Sequence, residues 1–416
     1  MAYRMIAEHA MRPASEDAIF GAAAKATAAE KIYGKNGIIN STIGTLLEDD
    51  GSLVAFKTVY GHLKNLDDTK IAAYAGLSGI PEYLETVKKA CFGDHEPKGY
   101  IKAVATPGGT GAVRHAIYNY TSLGDSVLTS DWYWDPYKTI CEEHGRKLEN
   151  YRLFNEKGTL DMDSLKQKCD EILSRQDRLV LIINTPAHNP TGYTVSDDEW
   201  DQILGYARNK TVGGKKKIVI LCDIAYIDFA GDGARDFFDK FTDLPEDLLI
   251  LVAYSASKSY TMYGLRNGAI ICIAPNEETA AEFFNTCSFS NRANWSNGTR
   301  GAMQVVADIY TDSELYETVE KERDIYRALL KSRGDAFLGA CRETGLKTTT
   351  YRGGFFVSVP YRDPQLLADA LAKKLLFTVP LQGGIRLALC AVSEDACRKM
   401  PALIKETIEE LDKQEQ

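Results

Sequence analysis

Six stretches between residues 100 and 274 are apolar at nearly every position: YIKAVAT (100–106), DSVLTS (125–130), RLVLIIN (178–184), KKIVILCD (216–223), LLILVAYS (248–255) and GAIICIA (268–274). Short runs of this kind, rich in Val, Ile and Leu, predict strands buried on both faces. Amphipathic stretches lie between several of them. One is TVSDDEWDQILGYARNK (194–210), whose Ser-Asp-Asp-Glu cluster suits a helix N-terminus. The alternation predicts an α/β fold, with a mostly parallel central sheet carrying helices on both faces.

The texture changes after about residue 310. A long charged stretch, 313–345, reads as helix. It leads into GGFFVSVP, a helix near 364–374, FTVPLQ, GIRLALC and a last helix from about 393. This pattern predicts a second, smaller α+β domain. The expected division is 1–55 as N-terminal arm and part of the small domain, 56–310 as the large domain and 311–416 as the small C-terminal domain. The Ala-rich N-terminal stretch up to Gly34 reads as helix, with charges scattered through it and no apolar core of a signal peptide.

Length and composition narrow the class. A chain of 416 residues is too long for one small core. Apolar residues make up 44% and charged residues 26%, ordinary for a globular protein. The formal charge of −9 gives no uniform basic footprint for nucleic acid. No apolar run approaches the roughly 20 residues of a membrane-spanning helix. The nine cysteines are odd in number and show no metal-ligand spacing, so reduced buried thiols, a cytoplasmic location and no metal are expected.

In open α/β sheets, ligands bind beyond the carboxyl ends of the strands. Four such ends carry candidate chemistry. After YIKAVAT, the turn holding Gly108, Gly109, Thr110 and Gly111 opens a helix whose free N–H groups favour an anion. It is no dinucleotide fingerprint, because Arg114 stands where the third glycine belongs. After RLVLIIN, Asn189 lies in the turn sequence Asn-Pro-Thr-Gly and can donate to a ligand oxygen. After KKIVILC come Asp223 and Tyr226, and a carboxylate at the end of so apolar a strand calls for a cation. After LLILVAYS come Lys258 and Arg266, set among serines. Each feature alone reads as a turn, a cap or a solvated charge. Together they match the needs of pyridoxal phosphate: a phosphate, a ring nitrogen, a ring hydroxyl and an aldehyde that takes a lysine.

SASKSYTMYGLR (255–266), AHNPTG (187–192), DIAY (223–226) and GGTGA (108–112) also occur in a familiar order. In this the chain resembles the class I pyridoxal-phosphate aminotransferases, the fold type I family that includes aspartate and aromatic aminotransferases. The resemblance implies that Lys258 forms the Schiff base with pyridoxal 5'-phosphate and moves the substrate proton. Asp223 would pair with the ring nitrogen, and Tyr226 and Asn189 with the ring hydroxyl oxygen. Arg266, Ser255, Ser257 and the N–H groups of Gly109 and Thr110 would hold the phosphate. Further segments implied by the resemblance place Gly44 near substrate, Tyr74 on the neighbouring subunit's phosphate, and Arg386 on the substrate α-carboxylate. Arg292, in NRANWSNG, would bind a side-chain carboxylate across the subunit interface. The expected assembly is therefore a homodimer with shared sites. The ring-stacking aromatic falls within SDWYWDPY, with Tyr133 preferred by register over Trp132 and Trp134.

Two departures bear on specificity. The histidine that follows this aromatic in aspartate aminotransferases is missing, and Pro136 lies near its register. Phe355 and Phe356 follow two glycines and leave room for an aromatic substrate. The implied activity is transfer of an amino group from a dicarboxylic or aromatic L-amino acid to a 2-oxo acid such as 2-oxoglutarate by a ping-pong mechanism. A lyase or decarboxylase on the same scaffold would share Asp223, Lys258 and Arg266 and stays open at this point.

Overall fold

The computed structural model describes residues 5–11 and 18–414. Seven strands form the main sheet: β1 Tyr100–Pro107, β2 Ser126–Ser130, β3 Lys147–Tyr151, β4 Arg178–Asn184, β5 Lys217–Asp223, β6 Leu248–Ser255 and β7 Asn267–Ala274. Their spatial order is β1-β7-β6-β5-β4-β2-β3. β7 runs antiparallel to both its neighbours, and the remaining pairs are parallel. The six apolar stretches all form strands. β3 went unpredicted because it is an edge strand with Lys147, Glu149 and Asn150 among its five residues, and only Tyr151 is buried.

Successive side chains of the strands feed two cores. Leu179, Leu181 and Ile183 join Ile218, Ile220 and Cys222 on one face, where Trp200 and Val305 from covering helices pack. Val180, Ile182, Val219 and Leu221 face the other side, against Val113, Ala116 and Ile117 of the helix Gly108–Asn119. Each fully buried aliphatic side chain of this kind contributes about 1.5–3 kcal/mol of transfer free energy. The helix Asp197–Thr211 begins at Ser196 with a complete capping box to Glu199. Its start is thus fixed by the cluster that marks it in the sequence.

The C-terminal part carries a three-stranded antiparallel sheet of Val379–Leu381, Gly384–Ala388 and Phe356–Pro360. Helices Pro364–Lys373 and Glu394–Gln414 pack with it, beside the long helix Ser313–Thr344. Gly345 ends that long helix at φ 71°, a left-handed conformation that glycine adopts without strain. Of the Ala-rich N-terminal stretch, Glu8–Ala10 forms one 3-10 turn and Ala18–Tyr33 an α-helix, while residues 1–4 and 12–17 lie outside the described residues. Ile39–Asn40 then pairs in parallel with Leu376–Phe377.

Arg333, fully buried on the long helix, donates to the carbonyls of Cys390 and Leu47 at 2.9 Å and to Asp49 Oδ1 at 2.8 Å. It thereby joins the N-terminal loop to the 3-10 turn Leu389–Ala391 that follows the Gly384–Ala388 strand. All nine cysteines are buried and unpaired. Among the described residues no helix is long and apolar enough to cross a membrane, and no group of three or more His, Cys, Asp or Glu could hold a metal ion.

Candidate active site

Strand register assembles the site. Asn184 lies opposite Asp223, Asp223 opposite Ala253, and Ser255 opposite Gly268. The carboxyl ends of β4, β5 and β6 therefore finish side by side. Beyond them lies a cavity of about 180 Å³ lined by Lys258, Asp223, Tyr226, Asn189 and Arg266, together with Gly109, Thr110, Ser255, Ser257, Trp134, Asn184 and Ala225. A larger groove of about 850 Å³ runs between the 27–53 and 374–399 segments, with Glu48, Asp49, Asp50, Lys374 and Lys399 among its lining residues. The smaller cavity is where a lysine, a buried carboxylate and anion-binding groups converge.

Lys258 sits on the one-turn helix Ala256–Ser259, which follows β6 directly. Ser255 caps this turn by accepting the Ser257 N–H at 3.3 Å. Burial, assisted by the charges of Arg266 and Arg386, pulls the Lys258 amine down to about 8, although Cys390 and Asp223 act in the opposite direction. Its Nζ stands 5.6 Å from the Tyr226 ring centroid and 5.5 Å from that of Tyr263.

Asp223 is 5% exposed. Burial lifts its carboxyl above the ordinary value, against the Tyr137 hydroxyl, the Ala225 N–H and the Lys258 charge. The Tyr137 hydroxyl donates to Asp223 Oδ2 at 2.6 Å. Asn189 Nδ2 donates to the Tyr226 hydroxyl at 3.3 Å, while Asn184 Oδ1 accepts the Asn189 N–H at 2.7 Å and holds that turn in place. The asparagine and tyrosine singled out in the sequence thus present their polar ends together.

The opposite end of the cavity is cationic. The Arg266 guanidinium donates to Ser257 Oγ at 3.2 Å and to the carbonyls of Tyr263 and Pro107 at 3.0 and 3.4 Å. Among the described residues no carboxylate lies at ion-pair distance from it. Gly108 makes the approach possible. Its φ is 69°, and a Cβ there would stand 2.6 Å from an Arg266 Nη atom.

Arg386 lies on the Gly384–Ala388 strand and is 3% exposed. It donates to the Thr42 carbonyl at 2.7 Å and to Asn189 Oδ1 at 3.4 Å, and its guanidinium carbon stands 4.5 Å from the centroid of the Phe356 ring. Gly44 packs on the same ring, so that a Cβ at Gly44 would reach within 2.7 Å of Phe356. Tyr74, 86% exposed, and Arg292, exposed and bonded to Ser296 Oγ at 2.8 Å, do not line this cavity.

Of the three aromatics in that segment, Trp134 lines the cavity, whereas Tyr133, the one preferred by register, lines a separate groove with Trp132, Pro364 and Gln365. In the turn after β2, Asp131 accepts N–H groups from Trp132 and Leu153 at 3.0 and 2.9 Å. Trp134 packs edge-on to Tyr137 at 5.5 Å. Sequence reasoning also missed Asn184 and Tyr137. Asn184 carried a signal, being the polar last residue of an apolar strand. Tyr137 carried none, because its role depends on how the helix Pro136–Glu143 lies against Asp223.

The donor set fits pyridoxal phosphate. A guanidinium, hydroxyls and helix-start N–H groups suit a phosphate, a buried carboxylate suits a protonated ring nitrogen, and a lysine of lowered basicity suits an aldehyde. Comparison with known proteins agrees. The family model described as aminotransferase class I and II matches residues 37–400. An aminotransferase structure from Anaerococcus prevotii superimposes with a TM-score of 0.95 at 39% identity, covering 97% of this chain and 99% of that one. Aspartate aminotransferase of Escherichia coli is 28% identical over 325 residues, 74% of this chain and 78% of its own. Aromatic-amino-acid aminotransferase of Pseudomonas aeruginosa is 30% identical over 252 residues, and the match spans 59% of each chain. The chain belongs to the aminotransferase class I and II family, and it is an aminotransferase whose cofactor is pyridoxal 5'-phosphate.

Proposed function

We propose that this aminotransferase transfers the amino group of a dicarboxylic or aromatic L-amino acid to a 2-oxo acid, 2-oxoglutarate being the expected acceptor, by a ping-pong mechanism. The observation that carries the reading is the convergence of Lys258, Asp223 and Arg266 on one small cavity. When bound, pyridoxal phosphate supplies an aldehyde for the amino group and a protonated ring that accepts electrons.

The chain's own residues do the remaining work. Lys258, with its amine pulled down to about 8, is the base that takes and returns the substrate Cα proton near neutrality. Asp223 would keep the ring nitrogen protonated, and Asn189 and Tyr226 would bond its ring hydroxyl oxygen. Arg266, Ser255, Ser257 and the N–H groups of Gly109 and Thr110 would hold the phosphate, with Trp134 on the cavity wall. Arg386 takes the substrate α-carboxylate in bidentate fashion, with Gly44 near it across the Phe356 ring.

Tyr74 and Arg292 act in the partner's site of a homodimer, Tyr74 on phosphate and Arg292 on a side-chain carboxylate. The exposure of Ile71, Tyr74, Leu77 and Phe289 supports such an interface. The nine unpaired cysteines support a reducing, cytoplasmic setting.

The test is isotopic. ¹⁵N-labelled aspartate, glutamate, phenylalanine and tyrosine are offered singly to the loaded enzyme, with 2-oxoglutarate as acceptor or, for the glutamate donor, oxaloacetate. Appearance of ¹⁵N in the amino acid formed from the acceptor, with parallel double-reciprocal plots, supports the reading. Release of ammonia or CO₂ without need for a 2-oxo acid refutes it in favour of a lyase or decarboxylase.

A further inference from the structure

Tyr137 has a buried hydroxyl that no role described so far requires. It lies in the first turn of the helix Pro136–Glu143, with no exposed surface, and donates to Asp223 Oδ2 at 2.6 Å. That length falls in the range of hydrogen bonds between a hydroxyl and an ionised carboxylate. Trp134 on the cavity wall packs edge-on against the same ring, and its carbonyl accepts the Tyr137 N–H at 3.0 Å. The cavity wall, the phenol and the carboxylate are thus one connected unit.

We infer that Tyr137 is a positioning residue that orients Asp223 and keeps it ionised, so that the ring nitrogen of the bound cofactor retains its proton. The inference rests on the pyridoxal-phosphate reading of the cavity. The groups facing Asp223 are Tyr137, Lys258, Tyr226 and Cys222, with the Ala225 N–H bonding Oδ1 at 3.2 Å. Burial favours the neutral acid, and a donor to the charged form opposes it. The phenol can serve only as donor, since burial and the Asp223 charge push its own ionisation far above the ordinary range. The proton of this bond therefore stays on Tyr137.

The test uses holoenzyme loaded with ring-¹⁵N pyridoxal phosphate and reads the nitrogen shift against pH. In Tyr137→Phe the ring nitrogen loses its proton at least about one pH unit below the wild type, and cofactor affinity falls at least about tenfold, as expected for loss of a charge-assisted hydrogen bond. In an Asp223→Asn background, Tyr137→Phe changes neither reading, because its effect passes through the carboxylate. Difluorotyrosine placed at position 137 keeps the shape, strengthens the donor and moves the midpoint upward, which tests the inference even if the phenylalanine variant fails to fold. Identical ¹⁵N profiles in wild type and Tyr137→Phe overturn the inference, as does an undiminished effect in the Asp223→Asn background. Wild-type protein that takes up no pyridoxal phosphate overturns the underlying reading instead.

Discussion

Replacing Gly108 with alanine separates what the fold needs from what the cofactor needs. Gly108 has φ 69°, and a left-handed alanine costs about 1–2 kcal/mol. The added Cβ would also stand 2.6 Å from an Arg266 Nη atom and 3.1 Å from its Cζ. That overlap involves the far end of a flexible side chain, held by two backbone carbonyls and Ser257 Oγ at 3.0–3.4 Å. Arg266 can swing aside, so the overlap adds little to the cost of folding. In doing so, however, it leaves the anion site. A charge-assisted hydrogen bond is worth about 1.5–3 kcal/mol, equivalent to about a 10- to 150-fold change in affinity. Gly108→Ala should therefore weaken pyridoxal phosphate binding by that factor while lowering unfolding stability by only about 1–2 kcal/mol. Apoprotein titrated with the cofactor and followed by absorbance, alongside urea denaturation, measures both quantities. Arg266→Leu added to Gly108→Ala should produce little further loss of affinity. Affinity within about twofold of the wild type refutes the reasoning, because the displaced guanidinium would then have no part in binding.

Other consequences are open to direct measurement. Acetylation of Lys258 in the apoprotein by acetic anhydride, followed by mass spectrometry, should reach half its limiting rate near pH 8, since burial favours the reactive neutral amine; a midpoint near the ordinary ~10.4 would contradict the burial argument. Trp134→Ala should weaken cofactor binding about tenfold and Tyr133→Ala much less, and the reverse order in a binding titration would restore the register argument for Tyr133. Asp228, held well below the ordinary carboxylate range by Arg323 and Arg235, bonds Arg235 at 2.6 Å. Asp228→Ala should cost about 3–5 kcal/mol in urea denaturation by leaving buried guanidinium charge uncompensated, and a loss below about 1 kcal/mol, the worth of an exposed pair, would show the pair to be dispensable.

The sheet was legible because parallel strands buried on both faces must be apolar throughout, so each polar residue ending such a run stands out. Asp223 after IVILC and Lys258 just beyond LLILVAYS are visible for this reason. The register that sets Asn184 opposite Asp223 follows once those strands pair in parallel. What stayed hidden depends on orientation rather than pattern. β3 borders the sheet, so its polar residues reach solvent and erase the apolar signature. Trp134 and Tyr133 differ by one position in an irregular turn, where no periodicity says which side chain faces inward. Tyr137 looks like any packing aromatic until the helix that carries it is laid against Asp223.

The most direct test of the central claim is to locate the cofactor covalently. Wild-type protein loaded with pyridoxal phosphate, reduced with borohydride and digested should yield a single pyridoxyl-modified peptide, with the label on Lys258. Label on a different lysine, or none retained after reduction, would contradict the assignment of this cavity as the catalytic centre.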